Sequence, residues 1–288
     1  MKNHRKVSLM LLSSLPIMLG WQDDISLNLR APSAQFANGD GFSFLGGAIS
    51  EVRLGRYING GQNHGWRGGA LGDVSLFNFG QDLLFHMGLA METLADDQNE
   101  ISFRLVQVYY RVDTGIKWRL GPGALRLGYV HRCSHGADNA TPSRITIRSG
   151  LAASYQARLK SKNLTFDINP GATLYMVGQN SDEDFKPRGH GFIAAQLLWP
   201  ITKPVSLVLS SGLHVEVVGS TKNTLYFIGD STKNLYLLPI YAARLAMRLE
   251  DHKIESDIGL HFAQNLDSGI GPKAKKSNNL SFDVNFLW

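Results

Sequence analysis

The chain has 288 residues, 43% hydrophobic and 18% charged, too apolar for a disordered chain and too evenly mixed for a helical membrane protein. Its formal charge is +5, but Lys2, Arg5 and Lys6 sit at the very start, and the rest holds 26 basic against 24 acidic side chains. With no dense basic run, nucleic acid is not an expected partner, and a single cysteine, Cys133, excludes an internal disulfide.

The first element is N-terminal. "MKNHRKVSLMLLSSLPIMLGWQ" begins with positive charge and continues as an apolar run from Val7 to Gly20. That run is shorter than the ~20 residues a spanning helix needs and is patterned like a secretory signal peptide. Residues 1–20 are therefore read as a signal peptide and 21–288 as the mature domain. Cys133 lies too far from that junction to carry a lipoprotein anchor. No later apolar run is long enough for a helical span.

From residue 42 onward, period-two alternation dominates. Strands are expected over 42–55, 66–79, 82–93, 100–119, 124–133, 144–158, 164–178, 189–199, 205–218, 234–249, 253–265 and 279–288. The first two mix small, polar and apolar residues on both faces. The fourth is the fullest: Val108, Tyr110, Val112, Ile116 and Trp118 share one face, while Gln107, Arg111, Asp113, Lys117 and Arg119 share the other. In the ninth, Leu207, Leu209, Leu213 and Val215 oppose Ser206, Ser210, His214 and Glu216; the eleventh alternates Ile258, Leu260 and Phe262 against Asp257 and His261. Ionisable side chains at mid-strand, on strands long enough to cross a bilayer obliquely, suit a polar lumen and an apolar lipid face.

Short connections near 80, 121–123, 160, 201–204 and 251–252 alternate with longer polar ones at 56–65, 134–143, 179–188, 219–233 and 266–278; 94–99 is intermediate. Short periplasmic turns and long outer loops are expected of bacterial barrels. Trp118, Trp199 and Trp288 fall at strand ends on the short-turn side, as an aromatic girdle would. The C-terminal "NLSFDVNFLW" ends in an aromatic residue, resembling the terminal signal of outer-membrane barrels. The expected fold is all-β: a transmembrane antiparallel β-barrel of about twelve strands in the cell outer membrane, with membrane lipids as its surroundings and no protein partner indicated.

The fifth strand leads into "YVHRCSHGADN", residues 129–139. Leu125, Leu127, Tyr129, His131 and Cys133 share its lipid face, and an imidazole on such a row is costly and wants a reason. A thiol beside an imidazole is a competent nucleophile. The candidate catalytic set is His131, Cys133, Asp138, Ser134 and His135. His131 would be the base, Cys133 the nucleophile and Asp138 the orienting carboxylate, with backbone amides near Ser134 and His135 holding the oxyanion. The alternatives are a metal site on His131, Cys133, His135 and Asp138, whose spacing is poor for zinc, and a polar strand end at headgroup level. No cofactor-binding or metal residue is assigned.

These residues resemble outer-membrane phospholipase A and the lipid A deacylase family. Those barrels carry His-x-Ser on their outer surface, with a third polar residue one strand on that orients the histidine. The resemblance implies a general-base role for His131 and puts Cys133 in the serine's place. The orienting position falls on Ile145, and Ser149 is the nearby hydroxyl, a poor substitute. Over 66–139 the chain also resembles an uncharacterised family of predicted outer-membrane proteins with a His-x-Ser-Ser-His-x-Gly-Asp motif. "YYRVDTGIKWRLGPGALRLGYVHRCSHGAD" keeps His131, Ser134, His135 and Asp138, while Cys133 replaces the first serine and Ala137 the glycine. That family implies a barrel and lends no activity.

Closing the 121–123 turn with matching faces sets Trp118 opposite Leu125, Val112 opposite His131 and Tyr110 opposite Cys133. On the lumen side it sets Arg111 against Arg132 and Lys117 against Arg126, with Asp113 beside them. This cluster needs counter-charges, expected from Glu51, Glu92, Glu216, Glu255 or Asp257. The functional readings are a structural envelope barrel with a polar site at the outer leaflet, a lipid acyl-ester hydrolase, and a small anion-selective pore.

Overall fold

The computed structural model describes residues 36, 41–58, 65–96, 104–136, 146–180, 186–219, 235–251, 254–265 and 277–288. The expected signal peptide and Asp138 lie outside them. Twelve strands form in chain order: β1 (Phe42–Tyr57), β2 (Trp66–Phe79), β3 (Leu83–Asp96), β4 (Arg104–Leu120), β5 (Gly123–Gly136) and β6 (Thr146–Ser161) make the first half. The second half is β7 (Leu164–Asn180), β8 (Lys186–Thr202), β9 (Val205–Gly219), β10 (Leu235–Asp251), β11 (Ile254–Asn265) and β12 (Ser277–Leu287). Each pairs antiparallel with its sequence neighbours, and β12 closes on β1 from Glu51↔Leu287 to Tyr57↔Ser281. Closure leaves no open sheet edge in contact with lipid.

Alternation along each strand separates two environments, inverted relative to a soluble protein. On β5, Leu127 and Tyr129 are each 42% exposed, while Val130 and Arg132 on the other parity are buried. Leu89, Leu151, Leu209, Leu245 and Leu260 face outward around the circumference, whereas Arg148, Glu216, Arg248 and Asp257 are buried inside. An apolar exterior around a polar interior is the arrangement a barrel adopts when its solvent is hydrocarbon. The chain is an outer-membrane β-barrel. Trp118, Trp199 and Trp288 are all about half exposed at the short-turn end, where the sequence puts the periplasmic girdle.

The β4–β5 hairpin fixes the position of the candidate site. Gly121 begins its turn at φ +58°, a left-handed conformation that glycine adopts without strain. The resulting register is the expected one: Trp118↔Leu125, Val112↔His131, Tyr110↔Cys133, Arg111↔Arg132 and Lys117↔Arg126. β5 runs on to Gly136, past the expected end at 133. At the same short-turn end Phe36, which precedes β1, packs on Leu84 and Ala124 with the Arg119 guanidinium 4.8 Å above its ring.

Candidate functional site

His131 is the eighth residue above Gly123 on β5, roughly 26 Å along the strand. With the usual tilt this is roughly 20 Å above the periplasmic end, near the top of an apolar band about 25 Å tall. Its imidazole faces outward. On β6 the residue directly across is Ser149, and His131 Nδ1 lies 2.7 Å from Ser149 Oγ. Cys133, next along the same outward row, is half-buried and sits opposite Tyr110. The Tyr110 ring meets His135 edge-on at 6.1 Å.

Two local features set this geometry. Between Ser149↔Val177 and Gly150↔Tyr175, β7 carries one extra residue, Met176, as a bulge. Met176 and Val177 are consecutive, yet both are exposed and apolar, beside Ser149. Gly150 permits the approach, since a Cβ there would fall 1.9 Å from the Leu174 carbonyl oxygen.

Against the expected set, His131, Cys133 and His135 share the outward row, and Ser134 leaves it. Strand alternation continues through Gly136, so Ser134 points inward and is buried. The amides of Ser134 and His135 belong to paired strand, opposite Tyr109 and Val108, and not to a loop poised around an oxyanion. Ser149, expected to serve poorly, is the residue that meets the imidazole.

Behind this wall lies the lumen. Arg111 and Arg126 converge on Asp113, with Arg111 at 2.8 Å, and Lys117 reaches Asp73 at 2.6 Å. His86 sits 3.2 Å from Asp73 and accepts from Arg126 Nε, also at 3.2 Å. Arg111, Lys117 and Arg126 thus take their counter-charge from Asp113 and from Asp73, a carboxylate the sequence did not single out. Gly88 separates Asp73 from Asp113 in register and, lacking a side chain, leaves them room. The expected carboxylates serve other arginines: Glu51 and Glu92 pair with Arg53, Glu255 and Asp257 with Arg248, and Glu216 with Arg148.

Arg132 turns away from Arg111 and donates to the Tyr175 hydroxyl at 3.2 Å. Tyr175, His190, His214, Glu216 and Arg148 form one buried network with it, and the sequence reading left Tyr175, His190 and Arg148 unremarked. Arg148 directly precedes Ser149, and Arg132 lies between His131 and Cys133. The network thus backs the outward site through the same two strands.

No protein-family profile and no curated protein sequence matches the chain. The resemblance over 66–139 thus stands on its motif alone. Among solved structures, the NanC porin aligns over 82% of this chain and 98% of its own at 13% identity, TM-score 0.48. Outer membrane phospholipase A from Escherichia coli covers 85% and 97% at 10% identity, TM-score 0.46. LpxR from Salmonella typhimurium covers 83% and 99% at 8% identity, TM-score 0.43. At these values no activity passes to this chain, and the barrel reading rests on its strand order and the polarity of its two faces.

Proposed function

We propose that the protein is an interfacial lipid acyl-ester hydrolase on a closed, non-conducting barrel. The observation that carries the proposal is the His131–Ser149 contact on the lipid face, at outer-leaflet height, with Cys133 next on the row. When Nδ1–H donates to Ser149 Oγ, Nε2 keeps its lone pair and can take the Cys133 proton. The thiolate attacks an acyl-ester carbonyl, and the imidazolium protonates the departing alcohol, leaving a thioester on Cys133. His131 then deprotonates water, which releases the fatty acid and restores the thiol. Tyr110, across from Cys133 in register, would be the side-chain donor to the developing oxyanion. Residues i and i+2 on a strand are ~6.5–7 Å apart at Cα, so the sulfur and the ring approach through their rotamers.

Ser149 is only 3% exposed, which makes it a better orienting group than nucleophile. The test is acyl release from phospholipid and from lipid A by purified wild type, Cys133→Ala, Cys133→Ser and His131→Ala. Loss in Cys133→Ala, rescue in Cys133→Ser and a drop of about 10²–10⁴-fold in His131→Ala are expected. Equal activity in all, or none in any, would leave a polar strand end on a structural barrel.

A further inference from the structure

We propose that His190, His214 and Glu216 form a binding site for a transition-metal ion of the zinc class inside the outer half of the lumen. The three donors come from two paired strands and one face. His214 and Glu216 are two apart on β9, and His190 on β8 lies directly across from Glu216. One ligand atom from each falls within 4.8 Å of the others, and all three side chains are buried. Tetrahedral zinc at bond lengths near 2.0–2.1 Å wants donors about 3.4 Å apart. His214 Nε2 and Glu216 Oε2 are already 2.8 Å apart. The rings of His190 and His214 stack at 4.4 Å, so small rotations of His190 complete the triangle.

Outer partners hold two of the donors in place. The Tyr175 hydroxyl lies 2.7 Å from His190 Nδ1, which leaves Nε2 as the nitrogen for a metal. Arg148 Nη1 is 3.0 Å from Glu216 Oε1, leaving Oε2 for the ion. A ligating histidine tied through its second nitrogen, and a carboxylate tied through its second oxygen, are what orient metal ligands elsewhere.

The surrounding charge selects the ion. Arg132 and Arg148 oppose any cation, which penalises calcium and magnesium, ions held by oxygen ligands and charge. Two imidazoles favour zinc, nickel or copper, which gain from nitrogen donors. A bound ion would staple β8 to β9 behind the outward site, and this does not depend on hydrolysis at Cys133.

The experiment titrates the refolded, chelator-stripped protein in detergent with Zn²⁺, Ca²⁺ and Mg²⁺. Folding is checked by heat-modifiable gel migration. About one zinc per chain, a raised unfolding midpoint and no calcium or magnesium binding are expected, with the zinc lost in His190→Ala and His214→Ala and kept in Cys133→Ala/His135→Ala. Absent zinc binding, unchanged binding in the lumen variants, or loss in the Cys133 variant instead would overturn the site. Wild type loaded with Co²⁺ covers variants that fail to fold. Nitrogen–oxygen ligation gives d–d bands without sulfur charge transfer, whereas a strong sulfur band would move the metal to Cys133 and overturn the proposal.

Discussion

His131 stands on a row of side chains that face hydrocarbon, where an imidazole lacking a hydrogen-bond partner is costly. Ser149 supplies that partner at 2.7 Å, and the contact fixes which ring nitrogen remains for chemistry. One neutral hydrogen bond contributes about 0.5–1.5 kcal/mol. If it acts only by orienting the base, Ser149→Ala should therefore slow acyl release by up to about tenfold. Ser149→Thr, which keeps the hydroxyl, should recover most of that. Rates for the two variants on one phospholipid decide the role: an unchanged rate in Ser149→Ala removes it from the site. Loss as complete as in Cys133→Ala would show that Ser149 does more than orient the base.

At the scale of the strand pair, β10 and β11 show how inward charges behave. Asp257 accepts from Arg244 at 2.7 Å and from Arg248 at 2.7 and 2.9 Å, all three side chains being buried. Removing the shared carboxylate takes its counter-charge from buried Arg244 and leaves Arg248 to Glu255, which costs about 3 kcal/mol. Asp82, exposed at a turn and 3.8 Å from Arg119, should matter by no more than about 1 kcal/mol. Urea midpoints of Asp257→Ala and Asp82→Ala barrels give that contrast directly, and equal shifts would refute it. The same scale explains what the sequence reveals. Strand positions and the β4–β5 register are legible because alternation has period two and a short turn pins the pairing. Ser149 is hard to rank because a long connection separates β5 from β6 and a bulge on β7 shapes its surroundings. Asp73 escapes notice because it reaches Lys117 from two strands away, over Gly88. His190 is hidden by a bulge as well: one at Ile201, beside the short 201–204 connection, shifts the β8–β9 register by one residue, so counting back from the turn sets His190 against Val217 and not Glu216.

For the whole molecule, the inward rows decide whether the barrel conducts. Arg148 is 2% exposed and Glu216 and His214 are at 0%, so at their level these inward side chains pack closely against their neighbours. Below them His86 and Asp113 are buried as well, and Phe36 with Arg119 occupies the short-turn mouth. An anion entering from outside would meet Arg132 and Arg148, but going further requires it to separate Arg126 from Asp113 and Lys117 from Asp73. Each separation strands buried charge at a cost of several kcal/mol, far above thermal energy. Protein reconstituted in planar bilayers should therefore leave the current at baseline across the physiological range of potential. Steady anion-selective steps from wild type would mean that the ion-pair lattice opens, and the barrel would then be a pore lined by its arginines.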